Sequence, residues 1–333
     1  MARNAKNDIP EPNASGQVGS CTPDSRRYNF IDYATQLYLA LTGLIILALG
    51  RQMDHWHLFF LGHVVGMITI HLLIRLHARI PRHRVINMLR HFYPVILYTA
   101  FYRETGVLNR LFMSSYLDGF FASIDKAIFG YQPAAYLMTA FPSTWISEIM
   151  YISYFSYYVM IVGVGLALYF KSKQAFWRYL TVVSFVFYIC YLTYIIFPVI
   201  GGRAFWSPIE GLPQADMFEF YPLAFPDSVK AGPFFHIMDF IYTHFEAEGA
   251  AFPSSHVAVS LCSLYFSWIY LKTIRHIHCV FVILLCISTV YCRYHYVVDV
   301  FAGIITAVVL VYIGDRLFWH FTTTKPVNPP SDS

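Results

Sequence analysis

Two short polar segments near the C-terminus contain the residue types that phosphoryl transfer needs. The first is Phe252-Pro253-Ser254-Ser255-His256, and the second runs from Arg293 to Asp299 and includes His295. A hydrophobic hairpin separates them, so both segments are predicted to return to one face of a membrane. Two histidines, a carboxylate, an arginine and a helix N-terminus at one place are the groups of a phosphohistidine mechanism.

His295 and Asp299 are four residues apart, a spacing that places both on one face of a helix. A carboxylate in that position can bind one imidazole nitrogen and leave the other as a nucleophile. An isolated pair of this kind is more often two residues that satisfy each other inside a bundle. At a membrane boundary ionisable groups are costly and usually functional, so we predict that His295 and Asp299 are catalytic.

The segment Pro253-Ser254-Ser255-His256 reads as the start of a helix. Proline suits the first helical turn, and Ser254 or Ser255 can lie near the cap. Free N–H groups at such an end attract phosphate oxygens, so we predict that both serines bind phosphate. His256 would protonate the leaving oxygen and then activate water or an alcohol. The alternative is an ordinary capped helix with a solvated histidine.

Two arginines are candidates for phosphate binding. Arg203 follows Pro198-Val199-Ile200-Gly201-Gly202, and Arg293 lies two residues before His295. Either guanidinium could make a bidentate contact with phosphate oxygens and offset transition-state charge. The alternative for each is an interfacial arginine that pairs with lipid headgroups.

The composition indicates a membrane protein. The 333 residues are 57% hydrophobic and 13% charged, with a formal charge of +4, whereas a soluble domain is about 25% charged. The basic residues lie in short loops, which indicates membrane orientation and not nucleic-acid binding. We therefore predict an all-α polytopic membrane protein with a helical-bundle catalytic core and interfacial outer helices.

Eight apolar runs are long enough to be spans, with seven as the fallback count because Arg90, His91 and Pro94 interrupt the third. The predicted spans are residues 33–50, 57–75, 87–103, 145–170, 177–199, 254–271, 277–294 and 298–319. The predicted organisation is a disordered cytosolic tail (1–30), N-terminal transmembrane helices (31–103), a membrane-embedded catalytic domain (104–320) and a cytosolic tail (321–333).

The bias of Lys and Arg among the loops predicts the orientation. With both termini in the cytoplasm, about two thirds of the 23 basic residues lie on the cytoplasmic side. Both polar segments then face the periplasm, the cell exterior or a lumen, and a bacterial inner membrane is the favoured location. Two long outer segments remain: 104–144, expected to form amphipathic helices in the interface, and 200–252, expected to be an irregular cap over the site.

The polar segments resemble the type-2 phosphatidic acid phosphatase and haloperoxidase superfamily. Its Pro-Ser-Gly-His motif is similar to Pro253-Ser254-Ser255-His256, with Ser255 at the glycine position. Its third motif matches at Ser288, His295 and Asp299, with Thr289 at the arginine position. If Arg203 is the arginine of the first motif, Ile196 and Ala204 occupy the lysine and proline positions.

These departures are similar to the branch of inositol-phosphorylceramide synthases and other sphingolipid phosphotransferases. Pro198 to Arg203, Arg293 to Asp299 and Ile128 to Pro133 resemble its pattern, and the resemblance covers roughly residues 115–315. It implies a helical core with an extracytoplasmic site, His295 as nucleophile, Asp299 as its partner and His256 as acid and base. It also implies that no metal or other cofactor is needed.

Three hypotheses follow. The first is a lipid phosphatase or phosphotransferase, whose partners are a phosphorylated lipid, an acceptor alcohol or lipid, and the surrounding membrane lipids; the oligomeric state stays open. The second is a non-catalytic transporter or assembly protein, although its expected inverted repeats are not evident. The third is a metallo-hydrolase that uses histidines of the second span, His55, His57, His63 and His71, whose spacing is not that of a metal site; a chelator would distinguish it.

Overall fold

The computed structural model describes residues 22–205 and 224–323, and these residues are mostly helical. No strand forms within these two ranges; the one β-type contact is an isolated bridge between Val199 and Ala250. The helices are α1 (Phe30–Leu49), α2 (Trp56–Arg79), α3 (Arg84–Leu108), α4 (Asp118–Phe129), α5 (Pro133–Ala140), α6 (Thr144–Lys171), α7 (Lys173–Ile196), α8 (Asp227–Lys230), α9 (Pro233–Phe245), α10 (Ser255–Tyr270), α11 (Arg275–Tyr291) and α12 (Val297–Thr323).

The predicted fold class is confirmed, because a helix occupies each of the eight predicted spans. Five of them, α1, α2, α6, α7 and α12, are long and apolar enough to cross a membrane. Helices α10 and α11 are shorter, at 16 and 17 residues, and α3 carries several charges. The number of spans, eight or seven, stays a prediction.

Helix α7 is the centre of the bundle, with most of its residues buried. Helices α1, α3, α6, α10 and α12 all pack against it. Successive long helices alternate in direction, so the C-termini of α3, α7 and α11 and the N-termini of α6, α10 and α12 lie at one end. We call this end the site end.

Buried charges inside the bundle are paired. Arg90 of α3 donates to both carboxylate oxygens of Asp32 of α1, at 2.8 and 2.7 Å, and neither side chain is exposed. The same guanidinium donates to the carbonyl oxygens of Ser25 and Arg27. The charge that interrupts the third apolar run is therefore neutralised within the protein, which is how ionisable groups are tolerated at this depth.

Four shorter helices cover the site end. Helix α4 contacts α12, α5 contacts α11, and α8 and α9 contact α6. The expectation of an irregular segment over 200–252 is wrong for its described second part, because α9 is a regular helix of 13 residues. Glu148 of α6 accepts from the N–H groups of Phe234 and Phe235 and so caps α9.

Several predicted segments lie partly outside the described residues. Residues 1–21 of the predicted N-terminal tail, 324–333 of the predicted C-terminal tail and 206–223 of the predicted cap belong to this group. The domain boundary near residue 103 stays a prediction; α3 continues without a break to Leu108.

Candidate active site

Three loops meet at the site end, after α7, before α10 and between α11 and α12. The N–H of Val199 donates to Gly249 O at 3.1 Å, and the N–H of Ala251 donates to Val199 O at 2.8 Å. The N–H of Ser254 donates to Asp299 O at 3.1 Å. The backbone therefore joins the two predicted polar segments to each other and to the loop that precedes Arg203.

Glycine makes the closest approach between these loops possible. Gly201 has a φ of +89°, and a Cβ there would lie 2.2 Å from the carbonyl oxygen of Tyr294. A Cβ on Gly202 would meet the Arg293 carbonyl oxygen at 3.1 Å. Only glycine can adopt the positive φ of residue 201 and also leave room for the Tyr294 carbonyl oxygen. This close approach explains why two glycines precede Arg203.

His295 lies between a carboxylate and a serine hydroxyl. Its Nδ1 is 3.4 Å from Asp299 Oδ2, and its Nε2 is 3.1 Å from Ser254 Oγ. The imidazole is buried. An Nδ1 that donates to Asp299 would leave the lone pair on Nε2, the nitrogen that faces Ser254.

The spacing of His295 and Asp299 predicted that both lie on one helix, but only Asp299 does. His295 lies two residues before α12, and Asp299 lies in its first turn. Asp299 Oδ2 also accepts from the N–H of Tyr296 at 2.9 Å, as the third residue of a capping box does. The cap of α12 thus fixes the carboxylate that faces His295.

Ser254 is the N-cap of α10, and its hydroxyl accepts from the N–H of Val257 at 3.4 Å. Pro253 therefore precedes the cap and does not lie in the first turn. The N–H of Ser255 donates to the hydroxyl of Tyr194, which in turn donates to Pro253 O. Tyr194 was not predicted, because nothing in the sequence distinguishes it from the other aromatic residues of α7.

His256 projects from the first turn of α10 towards aromatic rings. The ring centroids of Tyr157 and Tyr154 lie 4.3 and 4.8 Å from that of His256. The Tyr154 hydroxyl lies 3.1 Å from His256 Nε2 and also bonds the hydroxyl of Tyr242. The His256 and His295 ring centroids are 5.7 Å apart, so a small group held between them can contact both.

The two arginines occupy different positions. Arg203 forms an ion pair with Glu246, and its guanidinium lies over the Tyr242 ring, 4.6 Å from its centroid. Tyr242 therefore contacts both Arg203 and Tyr154. Arg293 is buried, donates to Ala135 O at 3.4 Å and lies 5.3 Å from the Phe225 ring centroid.

Burial affects the charge of Arg293. The buried guanidinium has lost most of the hydration that stabilises its charge in water. A bound anion would compensate for that loss. The predicted phosphate-binding roles of both arginines remain hypotheses, as do those of the two serines.

Helix α4 contributes two aspartates that the sequence analysis did not identify as site residues. Asp118 accepts from the N–H groups of Ile200 and Gly201 and from the Tyr296 hydroxyl. Asp125 accepts from the N–H groups of Val297 and Val298, at the start of α12. Their spacing of seven residues, which places them on one face of a helix, was a signal that could have identified them.

Both carboxyl groups are perturbed. Burial raises the pKa of Asp118 to about 7, partly offset by its three donors, and burial also raises the pKa of Asp125. Through the hydrogen bonds of Asp118 and Asp125, helix α4 holds the loops that carry Arg203 and His295.

An apolar cavity of about 710 Å³ ends at His256 and Ser255. It is lined by aromatic and aliphatic side chains of α3, α6, α7 and α9. Such a cavity suits an apolar ligand whose reactive end lies at His256.

The histidines of α2 have other partners. His63 Nε2 lies 3.4 Å from Glu104 of α3, and His71 Nδ1 lies 2.9 Å from the Tyr28 hydroxyl. Within the described residues no three His, Cys, Asp or Glu side chains gather as metal ligands would. These contacts give the metallo-hydrolase hypothesis no support.

Comparison with known proteins identifies the family. A family model of the PAP2 superfamily matches residues 120–313, which is more than half of the chain and contains all seven predicted site residues. No curated protein and no solved structure matches. This chain belongs to the type-2 phosphatidic acid phosphatase (PAP2) superfamily, which confirms the predicted superfamily and indicates a phosphatase-type membrane enzyme. The inositol-phosphorylceramide synthase-like branch stays a prediction.

Proposed function

We propose that this protein transfers a phosphoryl group from a phosphorylated lipid through a phosphohistidine at His295. The placement of His295 carries the proposal. Its Nδ1 faces Asp299 at 3.4 Å while its Nε2 faces Ser254 Oγ at 3.1 Å, in a loop fixed by backbone bonds. A phosphorus atom in front of Nε2 would also lie at the N-terminus of α10.

In the first half-reaction, His295 Nε2 attacks phosphorus, an N–P bond forms, and the bond from phosphorus to the lipid oxygen breaks. His256 protonates that oxygen, so the lipid leaves as a neutral alcohol. Asp299 stabilises the positive charge that develops on the His295 ring. The ring separation of 5.7 Å leaves room for the phosphoryl group between the two histidines.

In the second half-reaction, His256 takes a proton from water or from an alcohol. The activated oxygen attacks phosphorus, the N–P bond breaks, and His295 is regenerated. Water gives a phosphatase and an alcohol gives a phosphotransferase. The covalent intermediate is the same for both products.

Three kinds of group are suited to hold the phosphoryl oxygens. Ser254 contributes its hydroxyl, and the start of α10 contributes its dipole, with Ser255 in the first turn. Arg203 would leave its ion pair with Glu246 and bind the phosphoryl oxygens instead. Arg293 would contribute a positive charge from the loop before His295. Each arginine offsets the negative charge of the transition state.

The apolar cavity supports a lipid as the substrate. It lies among helices predicted to span the membrane and reaches His256, so a lipid that stays in the bilayer would present its phosphate to the site. With both termini cytoplasmic, the site faces the extracytoplasmic side of a bacterial inner membrane.

One observation favours an alcohol acceptor, as in the inositol-phosphorylceramide synthase-like branch. His256 lies between the rings of Tyr154 and Tyr157, and Tyr242 of α9 covers this place. These rings limit access of water to the base and leave room for a lipid alcohol that shares the cleft. A ceramide or a glycerolipid has the required hydroxyl.

The test is phosphate release from a panel of lipid phosphates in detergent, with an acceptor alcohol present or absent. Wild type is compared with His295→Gln, and His276→Gln is the control because His276 is exposed at the opposite end. Release without acceptor, lost only in His295→Gln, identifies a phosphatase. Product that forms only with acceptor identifies a transferase.

Equal activity in wild type and His295→Gln would reject the phosphohistidine mechanism, and no activity in either protein on any lipid would favour the non-catalytic hypothesis. Loss of activity with a chelator would instead favour metal-assisted hydrolysis.

A further inference from the structure

The cavity at His256 is a cleft between α3 and α6. Both helices pack against α7, which forms the back wall. Val95, Thr99 and Tyr102 line it from α3, and Tyr158, Val162 and Leu166 line it from α6. All six side chains are apolar or uncharged, so this part of the cleft offers no charged partner to a ligand.

The cleft has a polar end and a closed end. At the site end it is bounded by His256, Tyr242 and Glu246, the partner of Arg203. At the other end, the rings of Phe92, Tyr169 and Phe176 contact one another, with centroid distances of 5.1 to 5.5 Å. These three rings join α3, α6 and α7 and form a floor.

The cleft is deep enough to hold an acyl chain: its lining on α7 runs from Tyr191 to Phe176, about 22 Å of helix at 1.5 Å per residue. On α3 it extends from Tyr102 to Phe92, and this stretch of helix is about 15 Å long at 1.5 Å per residue. The hydrocarbon core of a bilayer is about 30 Å thick. A single acyl chain of ordinary length therefore fits between the site and the floor.

The mouth of the cleft opens sideways from the bundle. Val95 is 39% exposed and Val162 is 55% exposed, although both line the cleft. In a membrane these side chains face lipid, so a chain can move from the bilayer into the cleft without crossing water.

We propose that this cleft binds one acyl chain of the phosphorylated lipid and that α3 helps to select the length of that chain. The inference rests on the proposed function, because it assumes a lipid substrate at His256. Helix α3 lies outside residues 120–313, the range that matches the family. The N-terminal helices thus contribute to substrate selection beside a catalytic core that the family shares.

The experiment narrows the cleft from the α3 side. The variant Val95→Trp is compared with Ile96→Trp, whose side chain is 61% exposed but does not line the cleft. The readout is the ratio of kcat/KM for dipalmitoyl over dioctanoyl phosphatidic acid. Both lipids have the same headgroup, so changes at the catalytic residues cancel in the ratio.

We expect Val95→Trp to lower this ratio by at least about tenfold, since tenfold corresponds to the burial of about two methylene groups. Ile96→Trp should keep the wild-type ratio. If Val95→Trp does not fold, the pair Val162→Trp and Val159→Trp repeats the test from α6, where Val162 lines the cleft and Val159 faces outward.

An unchanged ratio in the cleft variants, or an equal fall in their controls, would overturn the inference while leaving lipid phosphoryl transfer intact. Wild-type activity on a soluble phosphate ester such as p-nitrophenyl phosphate, with none on either lipid, would reject the proposed lipid substrate and the inference together.

Discussion

A backbone hydrogen bond holds the carboxylate of Asp299 in place beside His295. Its Oδ2 accepts from the Tyr296 N–H at 2.9 Å and lies 3.4 Å from His295 Nδ1. The second distance is long for a hydrogen bond, but such contacts often shorten when substrate binds. The residue thus combines a structural hydrogen bond with the contact that we propose for catalysis.

Asp299→Asn should separate these two roles. Both contacts are made by Oδ2, so an amide oxygen in that place can still cap α12, but a neutral amide holds the Nδ1–H tautomer and the charge that develops on the imidazole less well than a carboxylate does. We expect kcat to fall by about 10²- to 10⁴-fold, as in triads with this change, while the melting temperature changes little. Steady-state kinetics and thermal unfolding in detergent measure both. A kcat close to that of wild type would contradict the orienting role of Asp299.

Asp118 should make stability depend on pH. Its pKa is about 7 in the folded protein and about 3.8 when unfolded, so between these values only the folded state holds the proton. Stability then falls as pH rises through this window, by at most about 1.4 kcal/mol per pH unit. Below pH 4 and above pH 7 this contribution is constant.

The variant Asp118→Asn cannot titrate, so it should lack this dependence. The stability of wild type relative to Asp118→Asn should therefore be greater at pH 5 than at pH 8, measured by thermal unfolding at several pH values. A difference that stays constant over this range would show that Asp118 does not bind a proton there.

At the scale of elements, the loops at the site end depend on close backbone contact. Gly201→Ala would place a Cβ 2.2 Å from the Tyr294 carbonyl oxygen at a φ of +89°. Gly130 is the matched control, because its φ is +77° but nothing lies within 4 Å of its Cβ position. The comparison separates backbone strain from loss of the loop contact.

We expect Gly130→Ala to cost about 1–2 kcal/mol, the strain of the left-handed conformation, and to keep wild-type activity. Gly201→Ala should cost more and lower kcat/KM more than tenfold, because the loop of Arg203 must move away from that of His295. Similar activities in the two folded variants would mean that this contact does not matter for the site.

The elements also explain what the sequence could predict. Long apolar runs predicted the helices, since burial in lipid requires continuous hydrophobic stretches. The motifs predicted His256, His295 and Asp299, because their residue types are specific to the chemistry. The roles of Asp118 and Asp125 depend on contacts more than 80 residues away, such as Asp118 with Gly201, and no local pattern predicts which loop a distant carboxylate will hold.

At the scale of the whole molecule, the account requires one orientation in the membrane. Lys272, between α10 and α11, should be cytoplasmic, and Asp227 of α8, at the site end, should be outside. Both residues are exposed. In a cysteine-free background, a membrane-impermeant maleimide should label Asp227→Cys in intact cells and Lys272→Cys only after permeabilisation. The opposite pattern would reverse the orientation and place the site in the cytoplasm.

The most direct test of the central claim is to trap the phosphoenzyme. The protein is mixed briefly with a lipid carrying a radiolabelled phosphate, quenched with alkali and digested, and the labelled peptide is identified. A phosphohistidine is stable in alkali and lost in acid, so the account predicts such a label on His295 in wild type and none in His295→Gln. A label on another residue, or one that persists in His295→Gln, would contradict the assignment of His295 as the nucleophile.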